Sequence, residues 1–191
     1  MKKLFLGGLT AGLLILAACQ NNKKPASGDA ARSDSSKEKM QSPTMNAGTG
    51  NFDIQTPSGW QRIDTTINGI KATLLMAPLV AGSSVQTNIN VVSESMNDAS
   101  LDSYFDLNIS NMSKFMQNFS AAGKGEKDVN GTRSKWIQYS QSPNGLNLDA
   151  ICYIIPSNGI AYVITCTTAK GRLDQYRSRI DEVLGSFRVH Q

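Results

Sequence analysis

Between residues 148 and 155 the chain reads Leu-Asp-Ala-Ile-Cys-Tyr-Ile-Ile, and both alternating sets, Ala150/Cys152/Ile154 and Ile151/Tyr153/Ile155, are largely apolar. Successive side chains of a strand point to opposite faces, so a strand of this composition has to be covered on both sides. Residues 160–167 follow in the same style after Asn158-Gly159, a pair suited to the positive φ values of a tight hairpin turn. A sheet with a helix on each side satisfies this pattern, and the rest of the domain is read against it.

Further strand-like runs occur at residues 52–55, 72–76, 88–92 and 134–140, punctuated by Asn68-Gly69 and Asn130-Gly131. Six strands with short connections predict a mostly antiparallel sheet. Two segments carry the helical period instead. From 101 to 119, Leu101, Tyr104, Phe105, Ile109, Met112, Phe115, Met116 and Phe119 recur at three- and four-residue steps, with Ser100 where an N-cap belongs. A second helix is expected from Arg172 to about Leu184, ended by Gly185. The fold class is therefore α+β.

The N-terminus is of another kind. Lys2 and Lys3 precede a fifteen-residue apolar run closing on Leu16-Ala17-Ala18-Cys19. A basic start, a short apolar segment and small residues before the cut are the parts of an export signal, and the run is shorter than the ~20 residues of a membrane-spanning helix. Leu-Ala-Ala-Cys has the form of a bacterial lipobox, which predicts removal of residues 1–18 and lipidation of Cys19. Gln20 in the next position points to a periplasm-facing outer-membrane lipoprotein. Residues 19–50 show no apolar period and are read as a disordered tether, with one domain over 51–191.

Charge and chemistry narrow the function. The net charge of +4 belongs to the first fifty residues, with seven Lys+Arg against three Asp+Glu, whereas residues 51–191 carry twelve of each. A nucleic-acid-binding module would gather cations on the folded part, so nucleic acid is not an expected partner. The single histidine, His190, lies one residue from the end, and neither a phosphate-cradling glycine loop nor a metal-ligating motif is present. Asp98, Asp102 and Asp106 read as a solvated helix face rather than a cation site. An enzyme is not expected, and no cofactor.

The order of these elements carries a resemblance. A strand leading into Pro57-Ser58-Gly59-Trp60, Ser100-Leu101-Asp102-Ser103-Tyr104 opening a helix, Ala161-Tyr162-Val163-Ile164-Thr165 in a late strand, and a terminal helix closing on Leu184-Gly185-Ser186-Phe187 resemble the PsbP-like superfamily. The similarity is closest to the DcrB-like bacterial lipoproteins. It implies an α/β/α sandwich on an antiparallel sheet, with two main helices. Members of that superfamily are mainly binding modules: photosystem accessory subunits, a nuclear transport factor that binds a small GTPase, and chaperones that shield apolar segments of secretion effectors. The resemblance does not choose among such partners.

Two functions follow as expectations. The first is a non-catalytic, lipid-anchored envelope module, its domain monomeric, that engages a protein partner. The second is a carrier sheltering an apolar ligand or peptide, which requires an open apolar cavity of several hundred Å³. A hydrolase is disfavoured by the residue inventory. Candidate partner contacts are Trp60 and Trp136, and Leu79 and Val80 in the partly apolar connection at residues 76–86. Cys152 and Cys166 form a disulfide only if Pro156 opposes Tyr162. The two-residue Asn158-Gly159 turn puts them on opposite faces and a three-residue turn sets them diagonally, so bridge and buried thiols both stay open.

Overall fold

The computed structural model describes residues 51–67 and 70–190; the export signal, Cys19, the segment to residue 50 and the Asn68-Gly69 turn lie outside them. The main sheet has seven strands: β2 (Gln61–Ile67), β3 (Ile70–Met76), β4 (Asn88–Ser95), β5 (Ser120–Val129), β6 (Thr132–Gln141), β7 (Leu148–Ser157) and β8 (Ile160–Ala169). Their spatial order is β2-β3-β4-β8-β7-β6-β5, every neighbouring pair antiparallel. Two meanders thus build the sheet. The first ends at β4, helix α1 (Leu101–Phe115) crosses one face, and the second runs back from the far edge until β8 closes on β4.

Helix α2 (Arg177–Ser186), preceded by a 3-10 turn at Leu173–Tyr176, covers the opposite face. A sheet covered by a helix on each face is the architecture that the doubly apolar β7 and β8 call for. The first expected strand is not in this sheet: β1 (Phe52–Asp53) pairs with β9 (Arg188–Val189) and ties the two ends of the domain together. Two strands of the sheet give no period-2 signal in the sequence. β5 is an exposed edge with two glycines and four charges, and β2 is the other edge; edge strands need no second apolar face.

Glycines 123 and 125 have a packing reason. The Trp136 ring lies across β5, and a Cβ at Gly125 would sit 3.1 Å from its Cζ2 and Nε1, whereas one at Gly123 would meet it at 3.6 Å. The hairpin turns have a conformational one: Asn130-Gly131 and Asn158-Gly159 hold φ of 54°/83° and 49°/74°, as a type I′ turn requires.

Helix ends follow their chemistry. Ser100 caps α1 through a 3.1 Å bond from the Ser103 N–H to its Oγ. The helix stops at Phe115, earlier than the apolar period suggests, because the chain turns extended at Met116 and left-handed at Asn118; Phe119 then packs on Tyr139 from outside the helix, ring centres 5.6 Å apart. Gly185 does not end α2. The helix runs one residue further, where the Ser186 hydroxyl bonds the Val183 carbonyl and Phe187 turns extended. Its terminal carbonyls are met by the turn below: Asn130 Nδ2 donates to Leu184 O at 2.9 Å and to Phe187 O at 2.8 Å.

The two faces of the sheet carry different chemistry. Under α2, Leu173, Ile180, Val183, Leu184 and Phe187 pack on Ile89, Val91, Ile151, Ile155, Tyr162 and Ile164 in one apolar core, each aliphatic side chain contributing roughly 1.5–3 kcal/mol on burial. Under α1 the apolar cluster is confined to the β6, β7 and β8 side, and the rest is polar.

Candidate functional site

The register places a polar floor beneath α1. Asn88 and Asn90 on β4 stand opposite Thr167 and Thr165 on β8, Thr165 stands opposite Cys152 on β7, and Glu94 stands opposite Ala161. Helix α1 lowers Tyr104, Asn108 and Asn111 onto this floor at i, i+4 and i+7. The Tyr104 hydroxyl donates to Glu94 Oε2 at 2.9 Å and Asn108 Nδ2 donates to the Tyr104 carbonyl at 2.8 Å. The other flank of the helix is apolar: Phe105 lies under the Lys135 ammonium, 5.1 Å from its ring centre, and Met112 joins Ile137 and Tyr139.

All of these groups are buried, and several are only half satisfied. Asn88 Oδ1, Glu94 Oε1, Asn108 Oδ1, Asn111 Nδ2, Gln141 Nε2 and Thr167 Oγ1 are buried without a hydrogen-bond partner, and all six belong to the α1 side of the sheet or to α1 itself. Buried polar atoms are ordinarily paired, so this seam is the unusual place in the molecule.

Burial governs its protonation. Glu94, 4% exposed, has its carboxyl pushed up to about 7 by desolvation, against the opposing effect of the Tyr104 hydroxyl. The Tyr104 phenol is pushed far up by burial and then by Glu94, and the Cys152 thiol is pushed up to about 12 by burial despite the Thr165 hydroxyl. A thiol of that kind is not a nucleophile at neutral pH. The seam can exchange hydrogen bonds and one proton. Among the described residues no group of His, Cys, Asp and Glu is placed to hold a metal ion.

At its rim the first turn of α1 is clamped to the sheet: Asp102 pairs with Lys135 and with Arg133, which also holds Glu126. These cations keep the Asp102 and Glu126 carboxyls below their ordinary range, Lys135 acting most on Asp102 and Arg133 on Glu126.

The residues expected from sequence to form a site are not brought together. Cys152 and Cys166 are free thiols, which corrects the disulfide option. Ser157 opposes Ile160, so the turn is the two-residue one; Cys152 opposes Thr165 and points into the α1 seam, while Cys166 opposes Ile151 in the α2 core. Trp60 and Trp136 are half-buried against the α2 core, Trp60 edge-on to Tyr176 with ring centres 6.1 Å apart. Leu79 and Val80 are exposed, 67% and 38%, as is Phe115 at 42%. His190 lies at the surface, its Nε2 2.9 Å from Asp53 Oδ2. Asn108, Asn111 and Glu94 go unmarked in the sequence reading, although Asn108 and Asn111 sit in phase with Leu101, Tyr104 and Met112 on the helix face that turns inward.

Two clefts open at the surface, the first mixed in character, with Phe52 and Ala72 among its lining, and the second mostly polar. One of about 350 Å³ is lined by Arg62, Asp64, Lys71, Thr73 and Ser93, and one of about 640 Å³ by Asp53, Gln55, Glu182 and Arg188. No described helix is long and apolar enough to cross a membrane.

No protein-family model matches the chain, and no curated protein sequence is significantly similar to it. Solved structures do share its fold. LpqN, involved in cell envelope biogenesis of Mycobacterium tuberculosis, superposes with a TM-score of 0.61 at 12% identity over 75% of this chain and 86% of its own. A Pseudomonas aeruginosa protein of unknown function, PA94, gives 0.56 at 12% identity over 65% and 94%. The cyanobacterial PsbP of Synechocystis gives 0.51 at 15% identity over 75% and 95%. At such identities the likeness is one of fold, and the fold is PsbP-like.

Proposed function

We propose that this protein is a lipid-anchored module of the cell envelope, akin to the DcrB-like lipoproteins, that binds a protein partner and catalyses no reaction. The observation that carries it is where apolar surface remains. Both faces of the sheet are packed under the chain's own helices, while Leu79 and Val80 project into solvent from the connection between β3 and β4. The lipobox at Cys19 and the envelope role of the similarly folded LpqN support the location. The carrier alternative needs an open apolar cavity, whereas charged side chains line both clefts described: Arg62, Asp64 and Lys71 in one, Asp53, Glu182 and Arg188 in the other.

The test is a photo-crosslinking residue at position 79 of the full-length lipoprotein in its native envelope. A discrete adduct that disappears with Val80→Asp is the expected result. Adducts from position 115 but none from 79 would move the partner to α1, and none from either would overturn the partner role.

A further inference from the structure

Helix α1 rests on the sheet differently from α2. The sheet face it lies on and the helix itself carry six buried polar atoms without a partner, and the residues that bracket it adopt left-handed backbone without being glycine: Asn97 (φ 48°) and Asp98 (φ 60°) before it, Asn118 (φ 55°) after it. Such conformations mark bends held by the surrounding structure. The ties at its two ends are polar and lie near the surface, the Asp102 pairs at one end and the Asn144 N–H on Gln117 Oε1 at the other. Between them the helix is joined to β4 by the Tyr104–Glu94 hydrogen bond and to β6, β7 and β8 by Leu101, Phe105 and Met112, which the lift has to expose as well.

We propose that α1 is a proton-controlled latch: it lifts from the sheet as one unit about these two bends, held down while Glu94 carries its proton and released when the proton leaves, uncovering the polar seam and Cys152. With the proton on, Glu94 sits neutral in its buried place beside the Tyr104 hydroxyl. Without the proton, an ionised carboxylate is left buried, with the Tyr104 hydroxyl donating to it and no cation beside it.

The titratable groups that bear on Glu94 are Tyr104 from α1 and Cys152 from β7, both kept neutral by burial; β8 opposes it with Ala161. Asp98, four residues on, is exposed. Among the described residues no cation contributes to its environment.

The two cysteines provide the measurement. Both are buried and both thiols are pushed to about 12, but lifting α1 exposes Cys152 alone, whereas global unfolding exposes both. N-ethylmaleimide labelling of the full chain, read cysteine by cysteine by peptide mass spectrometry, gives for each thiol the ratio of its rate in the native protein to its rate in the urea-unfolded chain, from which the pH dependence of thiol chemistry cancels; global unfolding, which loss of the Glu94 proton also favours, gives both cysteines the same ratio, so a Cys152 ratio above that of Cys166 marks the lift and equal ratios would overturn it. Between pH 5 and 8 the Cys152 ratio should rise by up to about two orders of magnitude, a tenfold change per pH unit across most of the window between 4.5 and about 7, and stay above the Cys166 ratio. In Glu94→Gln it should stay flat. If that variant does not fold, Tyr104→Phe replaces it: loss of the donor that favours the carboxylate should move the midpoint of the rise to higher pH. A ratio independent of pH in the native protein, an unaltered rise in Glu94→Gln, or an unmoved midpoint in Tyr104→Phe would each overturn the latch.

Discussion

Replacing Glu94 by Gln should change how stability depends on pH more than it changes stability itself. The side chain keeps its shape and keeps an oxygen to accept from the Tyr104 hydroxyl, and only the titration is removed. In the native protein Glu94 binds its proton more tightly than in the unfolded chain, with a pKa of about 7 against an ordinary 4.5. Between those values the folded state holds more protons than the unfolded one, so stability falls as pH rises. The contribution is fully present below about 4.5 and gone above about 7. At 1.36 kcal/mol per pKa unit this amounts to about 3 kcal/mol, a large share of the roughly 5–15 kcal/mol that holds a domain folded. Urea unfolding at constant ionic strength from pH 4.5 to 8 measures it. The native protein should lose most of that amount over the range, and the variant should overtake it as pH increases. Asp64, Asp102 and Glu126, whose pairing lowers their carboxyl pKa values, act on the acid side of this window and affect both proteins alike. Parallel profiles between pH 5 and 7 would refute the assignment of a buried, proton-retaining Glu94.

Three further outcomes follow from single contacts. Asn130→Gly keeps the turn conformation but removes the two bonds to the α2 carbonyls, so chemical denaturation should register a loss of about 1–2 kcal/mol, whereas Asn158→Gly in the other hairpin should cost only a few tenths. Gly125→Ala should shift the Trp136 fluorescence maximum, because the new methyl meets the indole at 3.1 Å, while Gly123→Ala, with 3.6 Å of room, should leave the spectrum unaltered. Cys19→Ser should leave unprocessed precursor outside the membrane fraction, as seen by fractionation and intact-mass measurement, since acyl chains contribute ~0.8 kcal/mol per buried CH₂ to anchoring and the tether's lysines cannot replace them.

What the sequence discloses about this fold is what burial writes into it. β7 and β8 are legible because they are covered on both faces, α1 because its apolar side chains keep helical spacing, and the Asn-Gly turns because few other residues tolerate their φ values. β5 is not legible, because an exposed edge strand with Gly123 and Gly125 has only to accommodate Trp136 from the neighbouring strand. The hairpin register behaves in the same way. A two-residue turn separates Cys152 from Cys166 by a whole sheet, but nothing in the residues themselves excludes the longer loop that would have opposed them. The seam is harder still. Asn108 and Asn111 occupy inward positions of α1, and a pattern read for apolar side chains passes over polar ones in the same phase, assigning the face to Ile109 and Phe115, of which Phe115 turns out to be exposed.

That polar phase decides how the two halves of the sandwich behave. Six buried polar side-chain atoms without a protein partner lie on the α1 side of the sheet or on α1 itself. The α2 side has no comparable load: its apolar side chains meet apolar side chains, and its helix terminus is closed by Asn130. If α1 lifts as proposed, the left-handed bends at Asn97, Asp98 and Asn118 are where the chain yields. One layer fixes the sheet, and the other is the layer able to move over it. In a protein with this division, substitutions in the α2 core such as Val183→Ala should expose Cys152 and Cys166 to the same degree, through global unfolding, while substitutions in the seam should expose Cys152 first.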